Sequence, residues 1–141
     1  MALGTFGNLG KIWKSKGITR RTKARLYAAI ILSILLYNAE VWTVKQQDIL
    51  ALEGAHFRML RCMMNLKEDD CHLTKRGLLE AFELPSISDY ISQKRMRWVG
   101  HALRLRDTDR SKKAVLDTLA IADSPWTKLE EDCKKMRIPF Q

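Results

Sequence analysis

The most apolar part of the chain is a run of 12 residues at 26–37, which reads Leu-Tyr-Ala-Ala-Ile-Ile-Leu-Ser-Ile-Leu-Leu-Tyr. Its apolar residues occupy every side of a helical wheel, and such a helix must be buried on most faces or lie in lipid. Thr19 is suited to cap its start. We therefore predict a central apolar helix over about residues 20–42, roughly 35 Å long, around which shorter helices pack.

A membrane span is the alternative for this run, and its length disfavours it. A span needs about 20 predominantly apolar residues, whereas Asn38 and Glu40 follow directly here. A carboxylate inside the membrane is costly. The long basic segment before the run and the lack of a small-residue cleavage site also disfavour a signal peptide. We expect no integral membrane span and an intracellular protein, nuclear or cytoplasmic.

Helical spacing also predicts shorter helices on both sides of the central one. The pattern begins at Leu3 with no capping residue before it, so we expect the fold to be truncated at its N-terminus. A break at 15–17 precedes the central helix. Later helices are predicted at about 46–65 after a capping box at Thr43, 75–83 after Thr74, 86–105, 111–119, and 126–136 after Ser124. The prediction is an all-α fold, a compact bundle of six or seven helices in one domain, 1–141.

The charge balance points to polyanionic partners. Lys and Arg outnumber Asp and Glu by 25 to 16, a net charge of +9. Nucleic acid is the first candidate partner and an anionic membrane surface the second. Such a surplus can also serve only to keep a domain soluble. The arrangement of the charges must therefore distinguish a binding surface from a solvated one.

A first group of basic residues stands at the entrance of the central helix, with no acid among them. Positive charge at a helix N-terminus opposes the helix dipole, and Arg21 with Arg25 is a like-charge pair at i, i+4. An external anion would account for this arrangement, although solvated side chains are the alternative. The predicted phosphate contacts here, named the first basic cluster, are Lys11, Lys14, Lys16, Arg20, Arg21 and Arg25.

A second group lies on the helix predicted at 86–105. Its basic residues share one arc of about 80° with Tyr90, next to an apolar arc. Such a face can follow a phosphate backbone, and Tyr90 can stack on a base. A solvated helix face is the alternative, and Arg95 falls unexplained in the apolar arc. The predicted contacts, named the basic ridge, are Lys94, Arg97, His101 and Arg104.

No pattern of catalytic or metal-binding residues stands out. The sequence offers no paired carboxylates on one face, no nucleophile with a base and no glycine-rich phosphate loop. His56, Cys62, Cys71 and His72 are spaced like no common zinc site. Three cysteines without a secretory signal argue against a disulfide framework, and Cys62 is interpreted as a small core residue. We expect no catalytic residue, no metal and no cofactor.

Four segments together resemble the reverse transcriptases of non-LTR (LINE-type) retrotransposons. They are Trp-Lys-Ser-Lys-Gly-Ile-Thr from Trp13, Lys-x-x-Leu-Tyr from Lys23, Leu-Leu-Tyr-Asn-Ala-Glu-Val-Trp from Leu35, and Arg-Met-Arg-Trp-Val-Gly-His-Ala-Leu-Arg from Arg95. The similarity is to the thumb and the helical region after the palm, and it covers about residues 6–110. Trp126 to Cys133 weakly resembles the family's final Trp-x6-Cys.

The resemblance implies a fragment of an RNA-directed DNA polymerase that is not itself an enzyme, because the palm with its Asp-Asp motif and the endonuclease are missing. Asn38 also replaces a usual glycine, and residues 116–124 lack the family's basic Gly-Arg-Pro-rich stretch. In the family, thumb helices grip the template–primer duplex. The implied function is a non-catalytic RNA- or DNA-backbone-binding module. The alternatives are a helical module that binds another protein or itself through apolar faces, a membrane-surface protein, and a relic without a selected function.

Overall fold

The computed structural model describes residues 1–42, 45–66, 73–106 and 108–119. Over these ranges the regular structure is entirely helical, without strands, which confirms the predicted all-α fold. Three segments form one unbroken rod over residues 20–35, so the described ranges hold seven helices and one 3-10 turn. In chain order they are α1 (Ala2–Asn8), α2 (Gly10–Lys14), α3 (Arg20–Leu26), a π-helical turn (Tyr27–Leu32), α4 (Ser33–Leu35), the 3-10 turn (Ala39–Val41), α5 (Gln46–Met63), α6 (Lys75–Phe82), α7 (Ile87–Leu103) and α8 (Arg110–Leu119).

These helices divide into two compact units. The first unit comprises Met1–Tyr37 and Gln46–Ile87, and the second comprises Asn38–Lys45 and the described residues that follow Ile87. The prediction of one domain over 1–141 concerns how the units are joined and stays a prediction. No helix among the described residues is long and apolar enough to cross a membrane.

The core of the first unit forms around the rod of α3, the π turn and α4. Tyr27 and Ile31 of the π turn are fully buried, as are Leu60 of α5 and Leu78 of α6. The Tyr27 hydroxyl hydrogen-bonds Nδ1 of the buried His56, 2.8 Å away. Burial lowers the pKa of His56 to about 4, so the imidazole that shares this hydrogen bond with Tyr27 is neutral near pH 7.

The central helix is shorter and less buried than predicted. It ends at Leu35 instead of Trp42, because Asn38 adopts the left-handed conformation at φ 55°, which asparagine tolerates better than most residues. The backbone then continues as the 3-10 turn. Its apolar residues are not covered all round either, since Ile34 is 37% exposed and Tyr37, beyond its end, 71%.

Helix starts were predicted well wherever a local cap sets them. The Thr19 hydroxyl accepts a hydrogen bond from the backbone N–H of Thr22 at 3.2 Å, and Thr74 accepts one from Gly77 at 3.1 Å. Both residues therefore cap α3 and α6 as expected. Residue 43, the loop at 67–70 and the last predicted helix at 126–136 lie outside the described residues.

The interpretation of Cys62 as a core residue is wrong, because this cysteine is exposed. The buried side of α5 is set by His56, Phe57, Leu60 and Met63. At 100° per residue, Cys62 falls beyond the edge of the arc that these residues cover. The apolar residues around Cys62 in the sequence therefore did not indicate on which side of α5 it lies.

Candidate nucleic-acid interface

The first basic cluster is built on a buried tryptophan. Trp13, near the end of α2, is almost fully buried, and its ring stacks on that of Phe6 with centroids 5.2 Å apart. Its indole Nε1 donates a hydrogen bond to the carbonyl oxygen of Phe6 at 2.8 Å. These contacts tie α2 to α1 and hold the backbone from which Lys14 and Lys16 project.

Lys23 secures the other side of this segment. Its Nζ donates a hydrogen bond to the carbonyl oxygen of Trp13 at 2.6 Å, one of the last carbonyls of α2, which have no partner within the helix. The side chain is consequently half-buried. Lys23 therefore joins α3 to the end of α2, and the turn between these two helices is held at both ends.

Thr19 sets where the next cation stands. Its backbone is extended, with φ −65° and ψ 153°, and its hydroxyl also lies 2.9 Å from that of Thr22. Because Thr19 begins α3, Arg20 takes the first helical position. The turn that carries Lys16 therefore lies between Lys14 and Arg20. Lys23 anchors it on one side, and Thr19 ends it by capping α3.

These three cations surround one surface depression of about 450 Å³ in the first unit. Lys23 also lines it, so every charged side chain among the described lining residues is basic. Its other walls come from the turn, the C-terminal end of α5 and the end of α6. The remaining lining residues are Trp13, Ser15, Ile18, Thr19, Met63, Met64, Asn65 and Phe82.

Lys14, Lys16 and Arg20 are exposed and form no ion pair with any residue that the structure describes. Within the described ranges no acid neutralises their charges. Lys11, Arg21 and Arg25 are exposed as well, but they do not line the depression. The structure thus brings together half of the first basic cluster.

The basic ridge lies on α7 and just beyond its end in the second unit. Arg97, His101 and Arg104 are exposed, and their contact with phosphate stays a prediction. Lys94 differs, because its Nζ lies 3.6 Å from Oε2 of Glu40, with side chains 33% and 22% exposed. The ridge therefore contains an acidic neighbour that the helical wheel did not reveal.

Tyr90 is half-buried at the start of the ridge. Burial raises the pKa of its hydroxyl, and the positive charge of Arg97 partly opposes this effect. Its proposed stacking on a base stays a prediction.

Arg95, which the helical wheel left unexplained, has a structural role in the second unit. The residue is buried, and its Nη2 donates a hydrogen bond to the backbone carbonyl oxygen of Trp42 at 3.1 Å. A basic residue within an apolar arc is itself a signal, because a buried guanidinium must hydrogen-bond to offset its lost hydration. Arg95 thus holds the segment before α5 instead of reaching an external ligand.

Sequence reasoning missed the residues that complete the depression. Met63 and Met64 at the end of α5, Asn65 after it and Phe82 at the end of α6 line it. Asn65 has φ 58°, and the N–H of Leu66 bonds the carbonyl of Arg61, 3.1 Å away, in a Schellman-type ending,. An asparagine just after the helix was the local signal, but its neighbours in space are about 50 residues away in sequence.

The zinc pattern considered from the sequence includes Cys71 and His72, which lie outside the described residues. Within the described ranges, no three His, Cys, Asp or Glu side chains group closely enough to hold a metal ion. Comparison with known proteins gives no match to a family model, to a curated protein or to a solved structure.

Proposed function

We propose that this chain is a non-catalytic module that binds the phosphate backbone of RNA or DNA. The observation that carries the proposal is the group of Lys14, Lys16 and Arg20 around one depression, exposed and without an acidic partner among the described residues. Converging cations of this kind attract phosphates and release counterions when they bind. The ridge residues Arg97, His101 and Arg104 supply a second contact surface.

The proposal includes an origin in a non-LTR retrotransposon reverse transcriptase. Its support is the set of motifs from Trp13 to Thr19, Leu35 to Trp42 and Arg95 to Arg104. Two of these motifs contain proposed phosphate contacts, Lys14 and Lys16 in the first and Arg97, His101 and Arg104 in the last. A thumb-like fragment would keep the grip on a template–primer duplex without the chemistry of the parent polymerase.

The test is a titration of the folded chain against a labelled RNA–DNA hybrid at salt concentrations from about 50 to 200 mM. We expect the logarithm of the affinity to fall linearly with the logarithm of the salt concentration. The variant Lys14→Ala/Lys16→Ala/Arg20→Ala should reduce this slope by about 3, one for each lost phosphate contact.

A matched control removes three positive charges elsewhere in the first unit, as Arg58→Ala/Lys75→Ala/Arg76→Ala. All three side chains are exposed, so the control should leave most of the slope in place. Equal losses in the two variants would show that binding follows net charge alone. A folded wild-type chain that ignores the hybrid at the lowest salt would contradict the proposal.

Exposed apolar side chains favour a second candidate function, association with another protein or with itself. Leu3, Tyr37 and Leu50 of the first unit are 62%, 71% and 57% exposed. Sedimentation over a range of protein concentrations tests self-association. Oligomers that grow with concentration, together with no binding of the hybrid, would favour this function over the first.

A further inference from the structure

The depression bordered by Lys14, Lys16 and Arg20 also has an apolar interior, which binding of a phosphate alone would not use. Its apolar lining residues include Trp13, Met63 and Phe82, which are almost fully buried. Ile18 and Met64 also line it and are half-buried. The site therefore combines exposed cations with apolar surface.

The size of the depression suits a small organic group. Its volume of about 450 Å³ lies within the range of roughly 300 to 1,000 Å³ that is usual for ligand pockets. A nucleotide matches both of its parts, since a base has apolar faces and each phosphate is an anion. Inside a duplex, however, the base is stacked and paired, so a pocket with protein on its sides admits only a base that has left the stack.

Asn65 adds a polar group at the edge of this interior. Its left-handed conformation, at φ 58°, ends α5 and places the residue on the wall of the depression. The side-chain amide both donates and accepts hydrogen bonds, which suits the donor–acceptor edge of a base. Unlike the cations, it can contact a base without contacting a phosphate.

We propose that this depression holds one unpaired nucleotide of a nucleic-acid strand, with its base against Ile18 and Met64 and its phosphates on Lys14, Lys16 and Arg20. The inference rests on the proposed backbone binding and specifies which part of the ligand the site takes. It implies that the chain prefers a hybrid with a single-stranded extension over the same hybrid with blunt ends.

The experiment compares these two hybrids with wild-type protein and two variants. We expect wild type to bind the extended hybrid about tenfold more tightly, near the lower end of what stacking on an aromatic side chain gives, because Ile18 and Met64 are aliphatic. Met64→Trp narrows the depression and should abolish this preference, so that the extended hybrid binds no more tightly than the blunt one. Leu50→Trp adds the same ring at an exposed position of α5 and should retain the preference.

Equal binding of the two hybrids by wild type would overturn the inference and leave the proposed function intact, whereas failure to bind either hybrid would overturn both. A preference that survives in Met64→Trp would also overturn the inference. If phosphatidylserine vesicles displace the extended hybrid but not the blunt one, the depression binds a lipid. That result would also overturn the inference.

A measurement on the wild-type protein covers the case in which Met64→Trp does not fold. A 4-thiouridine in the single-stranded extension is photo-crosslinked, and the attached peptide is identified by mass spectrometry. We expect attachment at Ile18 or within residues 63–65. Attachment confined to the ridge on α7 would place the unpaired nucleotide elsewhere and contradict the inference.

Discussion

The first basic cluster and the basic ridge follow the same rule in sequence, cations repeated at helical spacing, but differ in the acids that accompany them. In the cluster, Lys14, Lys16 and Arg20 have no acidic partner among the described residues. In the ridge, Lys94 is paired with Glu40 at 3.6 Å. Glu40 comes from a segment more than 50 residues earlier in the chain, so periodicity within one helix could not show it.

The difference matters because a phosphate must compete with an existing partner at Lys94, whereas no described residue forms an ion pair with Arg20. The Glu40 carboxylate also repels an approaching phosphate over distances up to about 10 Å at moderate salt. The number of basic residues on a face is therefore a poor measure of its capacity to bind anions. Only the basic residues that have no acidic neighbour should be counted.

The largest effect is expected from the support of the cluster. Trp13→Ala removes the stacking on Phe6 and leaves a cavity, and should lower the free energy of unfolding by about 3 to 5 kcal/mol. Chemical denaturation measures this loss. The matched change in the second unit is Trp42→Ala, which should cost less because Trp42 is half-buried and its backbone carbonyl still accepts from Arg95. Equal costs would mean that the cluster has no special support.

The next effect is a pH dependence that separates the first unit from the second. The pKa of His56 falls from 6.5 to about 4 on folding, so between these pH values the unfolded chain binds a proton that the folded chain does not. The free energy of unfolding should therefore drop by about 3 kcal/mol as the pH falls through this window, with no contribution from His56 above it. Denaturation curves of wild type and His56→Gln isolate this contribution, since glutamine keeps a polar group beside Tyr27 but does not titrate.

The second unit should instead respond to alkali. Because folding raises the pKa of Tyr90 from its ordinary value of 10.0, the unfolded chain loses its proton first, and stability falls as the pH rises above about 10. Tyr90→Phe should flatten this part of the curve. The contrast between the units would be contradicted if the difference in stability between wild type and His56→Gln were the same at pH 4 as at pH 7.

A further prediction concerns how many phosphates the ridge contacts. Arg97→Ala/Arg104→Ala should reduce the salt slope of hybrid binding by about 2, and Lys94→Ala by clearly less than 1, because Lys94 already has an acidic partner. Titration of the three proteins over the same salt range measures this. An unchanged slope in the double variant would show that the ridge is a solvated face.

The smallest effect should come from the acid itself. Glu40→Gln removes the partner of Lys94 and a negative charge near the ridge, and should raise the affinity for the hybrid by roughly threefold at low salt, the size of an exposed ion-pair effect. Glu80→Gln, which removes the partner of Arg76 in the first unit, is the control with the same change in charge. If both raise the affinity equally, only net charge matters.

The sequence predicted what short-range interactions determine. Thr19 and Thr74 were recognised as caps because a cap depends on residues two or three positions away. The end of the central helix was placed too late, since the preference of Asn38 for the left-handed conformation was outweighed by the apolar pattern around it. Cys62 was misplaced for a related reason, because the packed arc of α5 is set by its partner helices.

The candidate site shows the same division. The cationic character of Lys14, Lys16 and Arg20 was evident from the sequence, and their exposure agrees with it. The depression that they share was not evident from the sequence, because Met64 and Phe82 come near these cations only after α5 and α6 have packed. Interactions between distant segments determine both the shape of the site and the pairing of Lys94.

The π-helical turn at Tyr27–Leu32 changes the rotation about the rod axis between the residues before it and the residues after it. A π turn closes its hydrogen bonds over five residues instead of four, so it acts like one extra residue placed within an α-helix. Deleting the exposed Ala29 would turn the rod towards ordinary α-helix and rotate everything before the turn by about 100° relative to Ile31. Arg20 and Lys23 would then point away from the depression, and only the anchors after the deletion, Ile31 and Leu32, would stay in place. The angular position of the cations is thus set by a register shift two helical turns away from them.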